Sequence, residues 1–348
     1  MRHDRAVVTA TAAGLAALLL STGVLAAPAV KPGYHLVKTV VLGGEGGWDY
    51  LTVDAPARRV YITRGTKVLV LDADTYAPVG EISGTEGVHG VAFAPELGRG
   101  FASAGKADEV VIFDLKTLKT LGTVKTGKNP DSILYEPSTK RVFAFDGKSG
   151  EATVIDAADG KAIGTIPVGG KPEFAATDGA GNVYVNVEDK GELLHIDAAG
   201  RMVSARWKLD GCEEPSGLAM DAADKVLFSV CRNKMMAVVD ATTGKILATP
   251  PIGEHPDAAA YDPGTGFAFS SNGGGTLTVV ERGADGKYSV AQTVKTRKGA
   301  RTMALDSQTH RALLVTAEFG PAPKPTSEQP RPRPSIKPGT FTLLVYGR

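Results

Sequence analysis

One short column recurs along the chain at almost constant intervals, and a chain built this way folds by stacking equal units. The column reads Trp48-Asp49-Tyr50-Leu51, Val88-His89-Gly90-Val91, Pro130-Asp131-Ser132-Ile133, Pro172-Glu173-Phe174-Ala175, Pro215-Ser216-Gly217-Leu218, Pro256-Asp257-Ala258-Ala259 and Ala300-Arg301-Thr302-Met303. Steps from Asp49 to Arg301 are 40, 42, 42, 43, 41 and 44 residues. Fixed periods in this range mark repeat architectures. Each unit continues through a turn at Asp54, Pro95, Pro137, Gly179, Asp221, Pro263 or Asp306 into a β-rich run such as Val60-Tyr61-Ile62-Thr63. A third run closes at Asp72, Asp114, Asp156, Asp197, Asp240 or Glu281, and a fourth follows, as over 162–169.

Four strands per unit, seven units and no helical periodicity predict an all-β fold: a seven-bladed β-propeller of four-stranded antiparallel blades. Blades are expected to start near 47, 87, 129, 171, 214, 255 and 299, inside a single domain over 34–348. The last unit lacks room for a fourth strand before Arg348, and the segment 36–42 has the character to supply it. Pairing the two chain ends in this way removes the exposed edges of an open array. The 42 Gly and 21 Pro agree with many short strands and frequent turns.

Charge excludes one class of partner. Thirty-nine Lys+Arg balance 38 Asp+Glu, which provides no global field for nucleic acid or an anionic membrane surface. The N-terminus, Met1-Arg2-His3-Asp4-Arg5 followed by an apolar Ala- and Leu-rich stretch and small residues, reads as a secretory signal peptide over 1–26. Cleavage is expected after Ala26, with a second candidate as late as Ala29; the alternative is an uncleaved anchor, for which the run is barely long enough. The expected location is periplasmic or secreted, with no transmembrane anchor after cleavage, and the expected state is a monomer. Cys212 and Cys231 are the two cysteines. An oxidising compartment lets them pair, and two buried thiols or metal ligands are the alternatives. No C-x-x-C-H is present, which excludes covalent c-type haem.

Within the repeat, most acidic columns read as turn formers: Asp followed by Thr or Gly bonds its own backbone. The first column is different. It reads Asp49, His89, Asp131, Glu173, Ser216, Asp257 and Arg301, with Glu214 and His255 close by. In a propeller the innermost strands start on one face around the axis, where ligands usually sit. Carboxylates sharing such a channel require a cation, protons, or pairing with Arg301 and His89. Asp49, Asp131, Glu173, Asp257 and His89 are therefore candidate ligands for a divalent metal, Ca²⁺, Mn²⁺ or Zn²⁺ according to geometry. A water-filled channel with internally paired charges is the alternative. The same face receives the loops between second and third strands, with Arg64, Asp146, Glu188, Arg232, Asn272 and Glu318. Arg64 and Arg232 join the candidate binding set, as does Trp48, which either stacks on a ligand or caps the core. A Pro-rich insertion over 321–338 in the last unit favours polyproline II and projects from this face.

Val60-Tyr61-Ile62-Thr63, Val183-Tyr184-Val185-Asn186, the run from Val154-Ile155-Asp156 to Gly169, and Val238-Val239-Asp240-Ala241-Thr242-Thr243-Gly244-Lys245 resemble the YVTN-repeat propellers typified by YncE-like periplasmic proteins. The likeness spans essentially the whole chain after the signal peptide; the sixth and seventh units depart most from it. It implies the propeller fold and is weak for function, since such propellers include binding proteins, enzyme subunits and surface proteins.

Three functions follow as expectations. The first is an exported, non-enzymatic binding or scaffold propeller that engages a small molecule, metal or protein at the channel mouth. The second resembles the propeller lactonases: a metal-dependent hydrolase with Asp49, Asp131, Glu173 and Asp257 on the ion and His89 or His255 carrying protons. Lactonase propellers also use Asn at the metal, and this column has none. The third is an accessory subunit of a periplasmic oxidoreductase. No phosphate-binding loop, dinucleotide fingerprint or G-x-S-x-G elbow occurs.

Overall fold

The computed structural model describes Met1, residues 33–324, 326, 332 and 334–348; the expected signal peptide and the middle of the Pro-rich insertion lie outside the described residues. Seven four-stranded antiparallel sheets are present, and among the described residues no α-helix is found. Six sheets take four consecutive strands each. The seventh combines Met303–Asp306, Arg311–Thr316 and Thr342–Gly347 with His35–Val41 from the other end of the chain. His35 pairs with Gly347 and Val41 with Thr342, so the ring closes as a seven-bladed β-propeller. Tyr34 anchors this closure: its hydroxyl donates to the His310 carbonyl at 2.9 Å and its ring meets Phe269 edge-on.

Burial within a blade follows strand order. Second strands such as Val226–Cys231 and Phe267–Asn272 are buried throughout, because neighbouring blades cover both faces. Outermost strands such as Pro78–Ser83 alternate poorly and are mostly exposed. The core is thus a set of apolar layers between adjacent blades, as where Phe101 and Val110 of blade two meet Val142 and Ile155 of blade three.

The acidic turn columns have the structural role expected of them. Asp72, Asp114, Asp156, Asp197 and Asp240 each end a third strand and accept amide hydrogens from the residues two and three positions on. Between blades one and seven, Arg58 makes a two-pronged contact with buried Asp306 at 2.9 and 2.8 Å. The Pro-rich insertion leaves blade seven on a paired stem, where the Gly320 amide donates to the Ser335 carbonyl and the Lys337 amide to that of Glu318, both at 2.8 Å.

Candidate functional site: the channel mouth

Local backbone turns the first column toward the axis. In five blades the ladder between first and second strands breaks at the column residue, for example between Pro130 and Ile133 around Asp131. Residues two positions earlier take left-handed backbone: Gly87, Asn129, Glu214, His255 and Gly299 all have positive φ. The freed backbone is held by buried polar side chains of the second strands. Ser103 donates to the Asp131 carbonyl of the next blade at 2.6 Å, and Asn186 to the Ser216 carbonyl at 2.9 Å. Thr63 binds the Asp49 amide and the Tyr50 carbonyl. These supports escaped the sequence reading, although a lone polar residue in a run such as Phe101-Ala102-Ser103-Ala104 was a visible signal.

Around the axis the column forms a chain of alternating charge. Arg301 donates to Asp257 and reaches Asp49 Oδ1 at 3.5 Å. His89 Nδ1 stands 2.6 Å from Asp49 Oδ2 and 3.6 Å from Asp131 Oδ1. Lys171 then bridges Glu173, at 2.6 Å, and Glu188, while Arg232 pairs with Glu214. All these groups, with Tyr50, Ser216 and His255, line one open cavity of about 450 Å³. Lys171 was absent from the sequence expectations; it stands just before the strand Pro172–Thr177 and lines the same cavity as Glu173.

The alternation fails at one place. Among the described residues no Lys or Arg forms a salt bridge with Asp131, whose charged partner is His89, while Lys171 is engaged with Glu173. Burial pushes the Asp131 carboxyl up, and Asp49 adds to this against the pull of His89. Burial, then the charge of Asp131, lifts Glu173 above the usual carboxylate range despite Lys171. Asp257, enclosed in the wall, is pushed up to about 6 by burial, with Arg301 opposing. Burial alone would depress His89, but its bond to Asp49 and the field of Asp131, Asp49 and Glu173 outweigh this and raise it. One atom each from Asp49, His89 and Asp131 lies within 4.8 Å of the others, a spacing that can hold a metal ion. This donor set, two carboxylates and an imidazole, fits Zn²⁺ or Mn²⁺ better than Ca²⁺, which takes six to eight oxygens.

Two expected residues do not line the cavity. Arg64 is buried: its guanidinium donates to the Gly46 carbonyl at 2.6 Å and stacks 3.8 Å above the Phe341 ring, and burial lowers it to about 10. Trp48 packs on Phe341 and Phe319, capping the core between blades one and seven. Both follow from the short inner strand of blade one, which starts only at Leu51 and leaves residues 43–48 to cross the blade edge. Of the loop residues, Glu188 and Arg232 line the cavity, Asp146 and Asn272 are fully buried, and Glu318 pairs with Lys337 on the surface. Cys212 and Cys231 form a disulfide beside this rim, joining the two segments that carry Glu214 and Arg232. A separate hollow of about 660 Å³ on the outer wall holds the Arg282–Asp224 ion pair and brings together no comparable donor set.

Fold and site together define a seven-bladed β-propeller with a charged, base-bridged channel mouth. No protein-family model and no curated protein matches the chain. Among solved structures it is similar to a chain of hydrazine synthase from Kuenenia stuttgartiensis, with a TM-score of 0.66 and 16% identity over 77% of this chain and 92% of that one. A likeness at that identity is one of fold. Among the described residues no helix is long and apolar enough to cross a membrane.

Proposed function

We propose that this chain is an exported binding propeller, akin to the YVTN-repeat proteins, whose channel mouth holds a divalent cation on Asp49, His89 and Asp131. The convergence of these three side chains at the edge of an open cavity carries the reading. The cation would neutralise the acidic stretch that the Arg301 and Lys171 bridges leave uncompensated, and the cavity above it admits a small polar ligand or a protein segment. The test is elemental analysis and titration calorimetry with Zn²⁺, Mn²⁺ and Ca²⁺ on the protein purified without chelator, beside Asp131→Ala. Near-stoichiometric metal that disappears in the variant supports the reading, and no metal in either refutes it.

One observation favours a second reading, a metal-dependent hydrolase. Glu173 lines the same cavity as Asp49, His89 and Asp131, and burial with the charge of Asp131 lifts it above the usual carboxylate range, as suits a proton carrier. A screen of lactones and esters with the metal-loaded protein tests it; turnover that survives both Asp131→Ala and Glu173→Gln refutes it. The disulfide accords with an oxidising compartment.

A further inference from the structure

Blades three and six end their second strands on related residues, Asp146 and Asn272, both fully buried. Asp146 lies opposite Pro130 and Asn272 opposite Pro256, at the same register of their blades. Asn272 satisfies both ends of its amide. Its Nδ2 donates to the Thr276 and Thr278 hydroxyls, each at 3.1 Å, and its Oδ1 accepts from Ser270 at 2.9 Å.

In blade three only half of this arrangement survives. Thr153 donates to Asp146 Oδ2 at 2.7 Å, and the Gly127 amide adds a second bond at 3.2 Å. Where blade six has Ser270, blade three has Ala144, which offers no hydroxyl. Asp146 Oδ1 is buried and has no partner.

The charged surroundings offer no compensation. The ladder neighbour of Asp146 on the third strand is the acid Glu151. On the first-strand side stands another acid, Asp131, against Gly147. Lys128, from the preceding connection, is engaged with Asp108 at 2.7 Å, and Lys148 acts on the same Asp108. Burial, with Glu151 adding to it, lifts the Asp146 carboxyl to about 6 against the bonds from Thr153 and Gly127 and the nearby hydroxyl of Thr126, whose proton goes to the Gly127 carbonyl at 2.9 Å. Asp146 does not line the channel cavity, so nothing here depends on the candidate metal.

We infer that Asp146 is carried in the folded chain as an uncharged carboxylic acid, a proton standing in for the amide and hydroxyl that blade six supplies at Asn272 and Ser270. Folding is thereby linked to a proton. The unfolded chain ionises this group near 3.8 and the folded chain near 6, so stability falls as pH rises through that window and levels off above it. A difference of about two pKa units corresponds to on the order of 100-fold in the folding equilibrium constant.

Denaturant unfolding of the full chain, the Asp146→Asn variant and the Ala144→Ser variant, from about pH 4 to about pH 8, tests the inference. The folding constant of Asp146→Asn relative to the natural chain should climb on the order of 100-fold across the window, and Ala144→Ser should recover part of it. Parallel profiles for Asp146→Asn and the natural chain overturn the inference. So does stabilisation by Ca²⁺ or Na⁺ at the alkaline end that Asp146→Asn abolishes, because a cation then sits where the proton is assigned. Should Asp146→Asn not fold, infrared difference spectra decide. With the Asp257 band removed by Asp257→Asn, a protonated-carboxyl band that titrates near pH 6 and shifts in Ala144→Ser supports the assignment, and the lack of any such band, or one unmoved by Ala144→Ser, overturns it.

Discussion

His89 Nδ1 and Asp49 Oδ2 stand 2.6 Å apart, joined across the boundary of blades one and two although 40 positions separate them in the chain. This contact sets a competition. A metal on Nδ1 must displace the proton that Asp49 holds there, and the raised imidazole makes that displacement harder. Metal binding should therefore release protons, and affinity should fall as pH drops through the raised imidazole value, starting above the ordinary value of about 6.5. Calorimetry in buffers of different ionisation enthalpy measures the release; an affinity independent of pH would count against His89 as a ligand.

Gly105 sets the seat of that imidazole. A Cβ at this position would lie 2.8 Å from both Cδ2 and Nε2 of His89. Gly105→Ala should push the ring off its contact with Asp49 and weaken metal binding by about tenfold or more, with little change in circular dichroism. Unaltered affinity in that variant would show that the ring position is immaterial.

Arg58 fastens the closure of the ring. Its contacts to Asp306, a carboxylate 2% exposed, span the boundary between the first and last blades. Burial alone would raise Asp306, but Arg58 and Thr309 hold it below the ordinary aspartate value. Arg58→Ala leaves that carboxylate unpaired and should cost about 3 kcal/mol. In the natural chain this contribution is present above the unfolded value of about 3.9 and is lost as pH falls through the lower folded value. Denaturant midpoints near neutrality and near about pH 3 should differ less in the variant than in the natural chain.

Reduction of Cys212–Cys231, or Cys231→Ser, opens a loop of 19 residues and should lower stability by about 3 kcal/mol. Because the bridge joins the segments bearing Glu214 and Arg232, its loss should also loosen that edge of the cavity, while metal uptake at the proposed site on Asp49, His89 and Asp131 should be unchanged. A melt with and without reductant, paired with metal titration, separates the two effects.

The architecture was legible in the chain because a propeller repeats one short pattern. Asp72, Asp114, Asp156, Asp197 and Asp240 mark third-strand ends through bonds to their own backbone, which depend on residues two and three positions away. The missing fourth strand of the last unit pointed to 36–42, and His35–Val41 fills it. The column Asp49, His89, Asp131, Glu173, Asp257 and Arg301 was visible for the same reason: a period near 42 places one residue per blade at the axis.

Which of those charges meet was decided by the closed ring. Whether Arg301 serves Asp257 and Asp49 together depends on how the seventh blade comes round against the first, a relation spanning 252 positions. Lys171 enters the site by bridging Glu173 and Glu188, and Arg64 leaves it because residues 43–48 fold over its guanidinium. Local pattern determines where a side chain starts and which face it leaves from. Only packing seven blades around one axis determines its neighbours, and with them which charges are bridged, which are buried, and where an acid such as Asp146 must keep its proton.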